Sequence, residues 1–268
     1  MTSTLPLTQW AELPAEVREA VEERAGPVTE AEHLDFGEGA ELASILTTPD
    51  GKVFAKGTFI DGPLAPRLDS EARINPRVAR LAPRLLWRVA AGKWLVAGFA
   101  YVPGRHADYS PGSPDLDRLA EAVAVLQDLP CPDQVTWRVE RRWSGFTDQA
   151  HVMTGEALVH KDLNPRNVLI TEERAYVVDW ATPCRGAAWV EPALLVPRLV
   201  GHGHSPREAE EWVAQFPSWS RATAGALDVF ADAEARKRQW LASEWPLPRQ
   251  LQNAKGAWKW ARWRSLRR

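Results

Sequence analysis

Cysteine is scarce in this chain. Cys131 and Cys184 are the only two in 268 residues, and neither lies in a cluster with metal-ligand spacing. Neither a disulfide framework nor a thiolate metal site is encoded. Long apolar runs are also missing. No stretch of about 18 apolar residues exists to span a bilayer, so no membrane partner is expected. The opening MTSTLPLTQWAELP has no basic stretch followed by an apolar core. It does not read as a secretory signal, and a cytoplasmic location is expected. Charge of one sign is not in excess: 33 Lys and Arg face 35 Asp and Glu, for a net charge of −2 and a pI near 6.3. A protein of this balance lacks the footprint of a nucleic-acid binder. What remains is ordinary globular composition, with 45% hydrophobic and 25% charged residues in a length that suits two modest domains or one two-lobed unit. Fourteen tryptophans is a high count and reads as packing material rather than chemistry.

The pattern of the first hundred residues is that of antiparallel strands with a few helices. Pro14 to Arg24 predicts a short amphipathic helix, with Pro14 suited to its first turn and Gly26 to its end. Ala43 to Thr48 and Lys52 to Gly57 flank the turn Pro49-Asp50-Gly51 and predict a hairpin. A helical piece follows over 69–81, interrupted near Asn75-Pro76, since a residue before proline avoids the helical region. Leu85 to Val89 and Lys93 to Tyr101 predict a second hairpin turning at Ala91-Gly92. After Pro103-Gly104 the pattern becomes helical. Leu116, Leu119, Ala122, Val123 and Leu126 mark a helix over 115–129 with a clean 3.6 period. Short apolar strands are expected at 157–159, 168–170 and 176–178, and helices at 187–199, 206–216, 222–240 and 249–263.

Between the first two of those strands lies His160-Lys161-Asp162-Leu163-Asn164-Pro165-Arg166-Asn167, and the third leads into Asp179-Trp180. Asp162 and Asn167 are five residues apart, and Asp179 stands twelve beyond Asn167. Phosphoryl transfer to a hydroxyl needs this set. One carboxylate orients the attacking hydroxyl and accepts its proton, while one amide oxygen and one further carboxylate hold the magnesium that neutralises phosphate charge. The string repeats the kinase catalytic-loop pattern H-R-D-L-x-x-x-N with Lys161 in the arginine place. Asp162 is therefore the candidate catalytic residue, and Asn167 and Asp179 are the candidate Mg2+ ligands. Hard oxygens without thiolate suit that ion. Lys56, in Val53-Phe54-Ala55-Lys56, matches the strand lysine that contacts nucleotide phosphates. Glu71 is the favoured partner to fix it, with Asp69 in competition. Gly37 and Gly39, just before that hairpin, suit a phosphate-covering loop, although Leu42 replaces the third glycine of the usual pattern.

These residues together resemble the aminoglycoside phosphotransferase and choline kinase-like family, the small-molecule branch of the protein-kinase-like fold. The resemblance covers roughly residues 30–200, and the family often has glycine where Lys161 stands. It implies an α+β fold of two lobes: a β-rich nucleotide-binding lobe over 1–98, a hinge over 99–103, and a larger helical lobe over 104–268 for catalysis and substrate. It also implies that Phe99 and Tyr101 lie on the hinge whose backbone meets the adenine, and that His160 braces the loop. The implied activity is phosphorylation of a small hydroxylated substrate with ATP or GTP and Mg2+, first an antibiotic, or alternatively an amino alcohol or a sugar. A non-catalytic nucleotide-binding protein on the same fold would have lost one of Lys56, Asp162, Asn167 or Asp179, and all four are present.

Asp179-Trp180-Ala181 is not Asp-Phe-Gly, and the segment after it is too short for an activation loop, which speaks against a protein kinase. Lys161 and Arg166 read as solvent-facing loop charge, the alternative being contact with the γ-phosphate or an anionic substrate. From Gly104 onward acidic and basic residues nearly balance, so no gross acidic cleft for a polycation is encoded. A local acidic pocket could still draw on Asp115, Asp117, Glu191, Asp228 or Asp232. The stretch from Lys255 to Arg268 carries six basic residues, no acidic one, and Trp258, Trp260 and Trp263. It reads as a final helix packing tryptophan inward with its charges solvated. His202 and His204 read as a loop rather than a metal site.

Overall fold

The computed structural model describes residues 7–34 and 39–267, and the chain divides into two compact units. The first is Met1–Pro103 together with Asp179–Thr182, and the second is Gly104–Val178 with Pro183–Arg268. The grouping of Asp179–Thr182 with the first unit departs from the continuous boundaries read from sequence.

In the first unit the order is α1 (Ala15–Ala25), β1 (Glu30–His33), β2 (Leu42–Thr48), β3 (Gly51–Phe59), α2 (Ala65–Ile74), β4 (Leu85–Ala91) and β5 (Trp94–Ala100). The five strands form one antiparallel sheet in the order β1-β2-β3-β5-β4. Strand alternation sorts its side chains onto two faces. Leu42, Leu46, Val53, Ala55, Trp94 and Val96 join Val17 and Val21 of α1 in one cluster. Leu95, Ala97 and Phe99 pack with Ala65 and Leu68 of α2, with Phe54 against them. Lys56 lies two residues beyond Phe54 and pairs in register with Ala97, so it projects on the α2 face. Glu71, one turn after Leu68, comes from the buried stripe of α2. The alternation of one strand and the turn of one helix thus bring these two residues together.

α2 starts and ends earlier than the expected 69–81. Pro66 suits the first turn, and Asn75-Pro76-Arg77 forms a separate 3-10 turn. The Asn75 side chain donates to the Pro83 carbonyl at 2.7 Å and accepts from Leu85 N at 2.8 Å, tying that turn to β4.

The second unit contains β6 (Arg105–His106), α3 (Asp115–Asp128), β7 (Ala157–Val159), β8 (Val168–Ile170), β9 (Ala175–Val177), β10 (Cys184–Gly186), α4 (Val190–Gly201), α5 (Pro206–Val213), α6 (Ala224–Glu244) and α7 (Pro248–Ser265). Its strands form two small sheets, β10-β7 and β6-β8-β9. α4 begins at Val190 rather than at 187, because the chain before it is spent on β10 and a turn. β9 ends at Val177 because Val178 N donates instead to the Asn167 carbonyl at 2.9 Å. α5 opens with a capping box, Ser205 with Glu208, and α6 with Thr223 accepting from Ala226 N. No helix of the described residues is long and apolar enough to cross a membrane.

α7 seats Trp260 in the core, leaves Trp258 exposed and places Trp263 between the two. Arg264 is not solvated as expected: it pairs with Asp228 at 2.7 Å and with Glu210. α4 and α7 meet backbone to backbone at Gly256, where a Cβ would stand 2.1 Å from the Pro197 carbonyl oxygen and 2.8 Å from Gly201 N. Helix propensity alone favours Gly256→Ala by about 1 kcal/mol. The clash is with backbone and outweighs it. Gly256→Ala is therefore expected to destabilise the protein by about 1–3 kcal/mol in denaturant unfolding, and a gain in stability would show that the two helices can separate at no cost.

Candidate active site

Each unit contributes one constellation. In the first, Lys56 Nζ donates to Glu71 Oε2 at 2.8 Å and lies 3.2 Å from Asp179 Oδ1. The ion pair expected for Lys56 is thus made with Glu71. Its competitor Asp69 pairs with Arg88 instead, at 2.5 Å. The other oxygen of Glu71 accepts from Trp180 N at 3.3 Å, and Trp180 is itself buried. Burial works against the Lys56 charge, but Glu71 and Asp179 outweigh it and raise its pKa well above the ordinary lysine range. Asp179 has a positive φ of 65° and a side chain that is 36% exposed. Gly39 also has positive φ, with nothing near the position of a Cβ, while Gly37 lies outside the described residues. Phe99 is flanked on both sides in the sheet, by Phe54 and by Leu85. It is the second-last residue of β5, at the start of the segment expected as the hinge. Tyr101 follows the end of β5, with Lys52 Nζ 5.7 Å from its ring centroid.

In the second unit the segment between β7 and β8 is braced at every turn. His160 is buried, and its Nε2 faces the Val178 carbonyl at 3.1 Å while its Nδ1 lies 3.3 Å from Asp162 N. Both contacts are satisfied when Nε2 carries the proton. The Tyr109 hydroxyl, fully buried, donates to the Leu163 carbonyl at 3.1 Å. Asn164 accepts from Arg166 N at 2.9 Å and turns the chain toward Asn167. Asn167 Nδ2 donates to the Asp162 carbonyl at 3.0 Å and reaches Asp162 Oδ2 at 3.3 Å. The Asn167 amide is thereby oriented with its nitrogen inward, which presents its oxygen for another use.

α4 supplies a clamp that the sequence reading missed. Glu191 is buried and accepts from Lys161 N at 2.8 Å. One turn pair later, Arg198 donates to the Lys161 carbonyl at 3.2 Å and to Asp162 Oδ1 at 2.9 Å. Lys161 has φ of 67° and is buried, which corrects the expectation of a solvent-facing charge. A non-glycine residue in that conformation persists only where its surroundings hold it, and Glu191 and Arg198 hold its two backbone groups. Burial raises the Glu191 pKa. The signal was in the sequence: an acid and a base seven residues apart inside the apolar run VEPALLVPRLVG.

The Asp162 carboxylate is half-exposed, whereas the Arg198 side chain is 3% exposed. Burial pushes the Asp162 pKa up, but the Arg198 charge, the Asn164 side chain and His160 together drive it well below the ordinary carboxylate range. A depressed carboxylate adds stability above its unfolded pKa and loses it as pH falls through the folded one. Arg198→Met is expected to move Asp162 back toward the ordinary range. The acid limb of a kcat/KM profile should then shift to higher pH, and an unmoved limb would separate Arg198 from the ionisation of Asp162.

Four of the five acidic residues considered for a polycation are placed apart. Asp115 is buried under Arg105, with contacts of 2.5 and 2.7 Å, Glu191 binds Lys161 N, and Asp228 binds Arg264. Asp117 is exposed on α3. His202 and His204 cap the end of α4, contacting the Arg198 and Tyr109 carbonyls at 2.8 and 3.0 Å. No group of three His, Cys, Asp or Glu fit to hold a metal occurs among the described residues. The oxygens of Asn167 and Asp179 are the hard donors Mg2+ takes.

A β-rich unit with a buried Lys–Glu pair and a helical unit with a braced His-x-Asp loop define the protein-kinase-like fold. The comparisons agree. Residues 108–224 match the model of the phosphotransferase enzyme family (APH). A thermostable mutant of aminoglycoside phosphotransferase APH(4)-Ia, solved in a ternary complex with AMP-PNP and hygromycin B, is 14% identical with a TM-score of 0.60, covering 95% of this chain and 96% of that one. An aminoglycoside phosphotransferase from Alicyclobacillus acidocaldarius is 14% identical with a TM-score of 0.62, over 98% and 95% of the two chains. Choline kinase LicA from Streptococcus pneumoniae is 12% identical with a TM-score of 0.62, over 92% and 97%. No curated protein matches the sequence. The family match and the fold bear out the resemblance to the small-molecule phosphotransferases.

Proposed function

We propose that the protein transfers the γ-phosphoryl group of ATP, or of GTP, to a hydroxyl of a small molecule, in the cytoplasm where the nucleotide is supplied. The observation that carries this reading is the Asp162 carboxylate. It is half-exposed, held below the ordinary carboxylate range and fixed by Arg198 and Asn167, in the loop that resembles the kinase catalytic loop. So weak a base does not abstract a proton early. It orients the hydroxyl by accepting its hydrogen bond and takes the proton late, after bond breaking to the leaving nucleotide is advanced, which suits a loose phosphoryl transition state. Lys56, held by Glu71, would grip the nucleotide phosphates, Gly37 and Gly39 would cover them, and the chain from Tyr101 onward would meet the base. Asn167 and Asp179 would hold Mg2+, which when bound neutralises charge on the phosphates. Catalysis on this reading is positioning and electrostatics.

The resemblance points first to an antibiotic acceptor, and an amino alcohol or sugar is the metabolic alternative. The test is consumption of ATP and GTP with Mg2+ against aminoglycosides, nucleoside antibiotics, amino alcohols, sugars and hydroxy acids, with Asp162→Asn as the blank. Turnover on one class that disappears in the variant supports the reading. Nucleotide binding without turnover on any acceptor would move weight to a binding role.

A further inference from the structure

A second set of charges lies within electrostatic reach of Asp162, and the phosphotransfer roles above do not use it. Glu234, on α6, is fully buried. One of its oxygens accepts from Trp143 Nε1 at 2.8 Å and the other from Arg238 Nε at 2.5 Å. With Arg198 paired to Asp162, both carboxylates are taken. Two further cations have no carboxylate to themselves among these residues. Lys237 is 7% exposed, and its ammonium stands 3.7 Å from Glu234 Oε2 and 4.4 Å from the Trp143 ring centroid, donating no hydrogen bond to the protein. Arg142 packs its guanidinium 5.7 Å from the centroid of the same ring, is paired with no carboxylate, and has a buried Nε without an acceptor. Its charge interacts with those of Asp162 and Glu234.

Buried cations that share a single carboxylate are costly, and Lys237 and Arg142 carry that cost here. The strain shows on Lys237. Burial, aided by Arg142, Arg238 and Arg198 and opposed by Glu234, pushes its pKa down to about 7. A bound anion would relieve it. Both cations stand against the buried Trp143 ring, and Arg142 remains partly open to solvent.

We propose that Arg142 and Lys237 seat an oxyanion, a carboxylate or phosphate group, on the same small molecule whose hydroxyl is presented to Asp162. This rests on the phosphotransferase reading and narrows its acceptor: a hydroxylated acid fits, whereas a polycation meets like charge at Arg142 and Lys237. Arg142 would grip the oxyanion with its planar fork, and Lys237 would meet it from beneath as a point charge.

The test is calorimetric titration of the full chain saturated with AMP-PNP and Mg2+, so that the nucleotide phosphate seat is filled. The probes are glycerate and glycerol 3-phosphate, against glycerol and ethanolamine. The two anions are expected to bind and the other two not to. Arg142→Gln is expected to weaken both anions at least about tenfold while AMP-PNP affinity is unchanged. Lys237→Met should do the same, and Arg142→Gln decides the matter if Lys237→Met does not fold, because Arg142 is only partly buried. Equal anion binding in the wild type and Arg142→Gln, binding of ethanolamine or glycerol as strong as that of the anions, or no anion binding at all would overturn the proposal. Anion binding without phosphoryl transfer to any acceptor would instead count against the phosphotransferase reading alone.

Discussion

Asp162→Asn is expected to lower turnover by about 10²–10⁴-fold while nucleotide affinity stays within a factor of about two. The substitution keeps the shape of the side chain but removes the charge and, with the remaining oxygen held by Arg198, puts an NH2 donor where an acceptor oriented the hydroxyl. The contact with Arg198 weakens, and Arg198 is left buried beside a neutral amide. Some loss of stability is therefore expected along with the loss of rate, and the two can be separated by measuring kcat well below the unfolding midpoint. If the variant retains near-normal kcat, Asp162 is not the residue that positions the acceptor, and the whole assignment of the loop falls with it.

Lys56→Met has the largest expected effect on stability. Lys56 and Glu71 are each about nine-tenths buried, and removing one member leaves the other uncompensated in the interior. Such a break costs about 3–5 kcal/mol, far more than an exposed pair such as Arg207 with Glu211 would. Nucleotide affinity should fall as well. The double variant Lys56→Met with Glu71→Met is the control: it should recover much of the stability and none of the affinity. A double variant as unstable as the single would show that the pair is not what the substitution disturbs. The sign of the pH dependence follows from the raised lysine pKa. The pair's contribution is fully present below the ordinary lysine range and is lost only as pH rises through the folded value, above that range. Between pH 6 and 9 the Lys56→Met deficit should stay constant.

The parts of this structure that were legible in the sequence are those set by local rules. The two hairpins of the first unit follow from alternation broken at Pro49-Asp50-Gly51 and Ala91-Gly92, and α3 follows from its 3.6 period. The closeness of Asp162 and Asn167 was legible in their spacing, and Asn167 Nδ2 lies 3.3 Å from Asp162 Oδ2. What escaped has a common cause: it depends on distant residues. β1, β6 and β10 are two to four residues long, too short for alternation to register, and are made strands by their partners. Arg198 looked like one charge in an apolar helix, and its meaning appears only where Asp162 lies 2.9 Å away. Glu234 is likewise silent in sequence, since Trp143 stands ninety-one residues earlier. Lys161 was misjudged because a charged loop residue is usually exposed, and nothing local shows that Glu191 fixes its backbone from another element.

The membership of Asp179–Thr182 in the first unit bears on how such a chain can be cut and recombined. A gene fragment ending at Pro103 would carry Lys56 and Glu71 but neither Asp179, which accepts from Lys56, nor the Trp180 amide, which donates to the second oxygen of Glu71. The fragment would fold, if at all, with an acidic side chain short of one donor and a lysine short of one acceptor. A chimera that exchanged the N-terminal hundred residues for those of a relative would have to import four residues from the far side of the loop as well. The two units are thus not interchangeable modules in the genetic sense. A cut at Pro103 therefore removes four residues from the first unit's own fold.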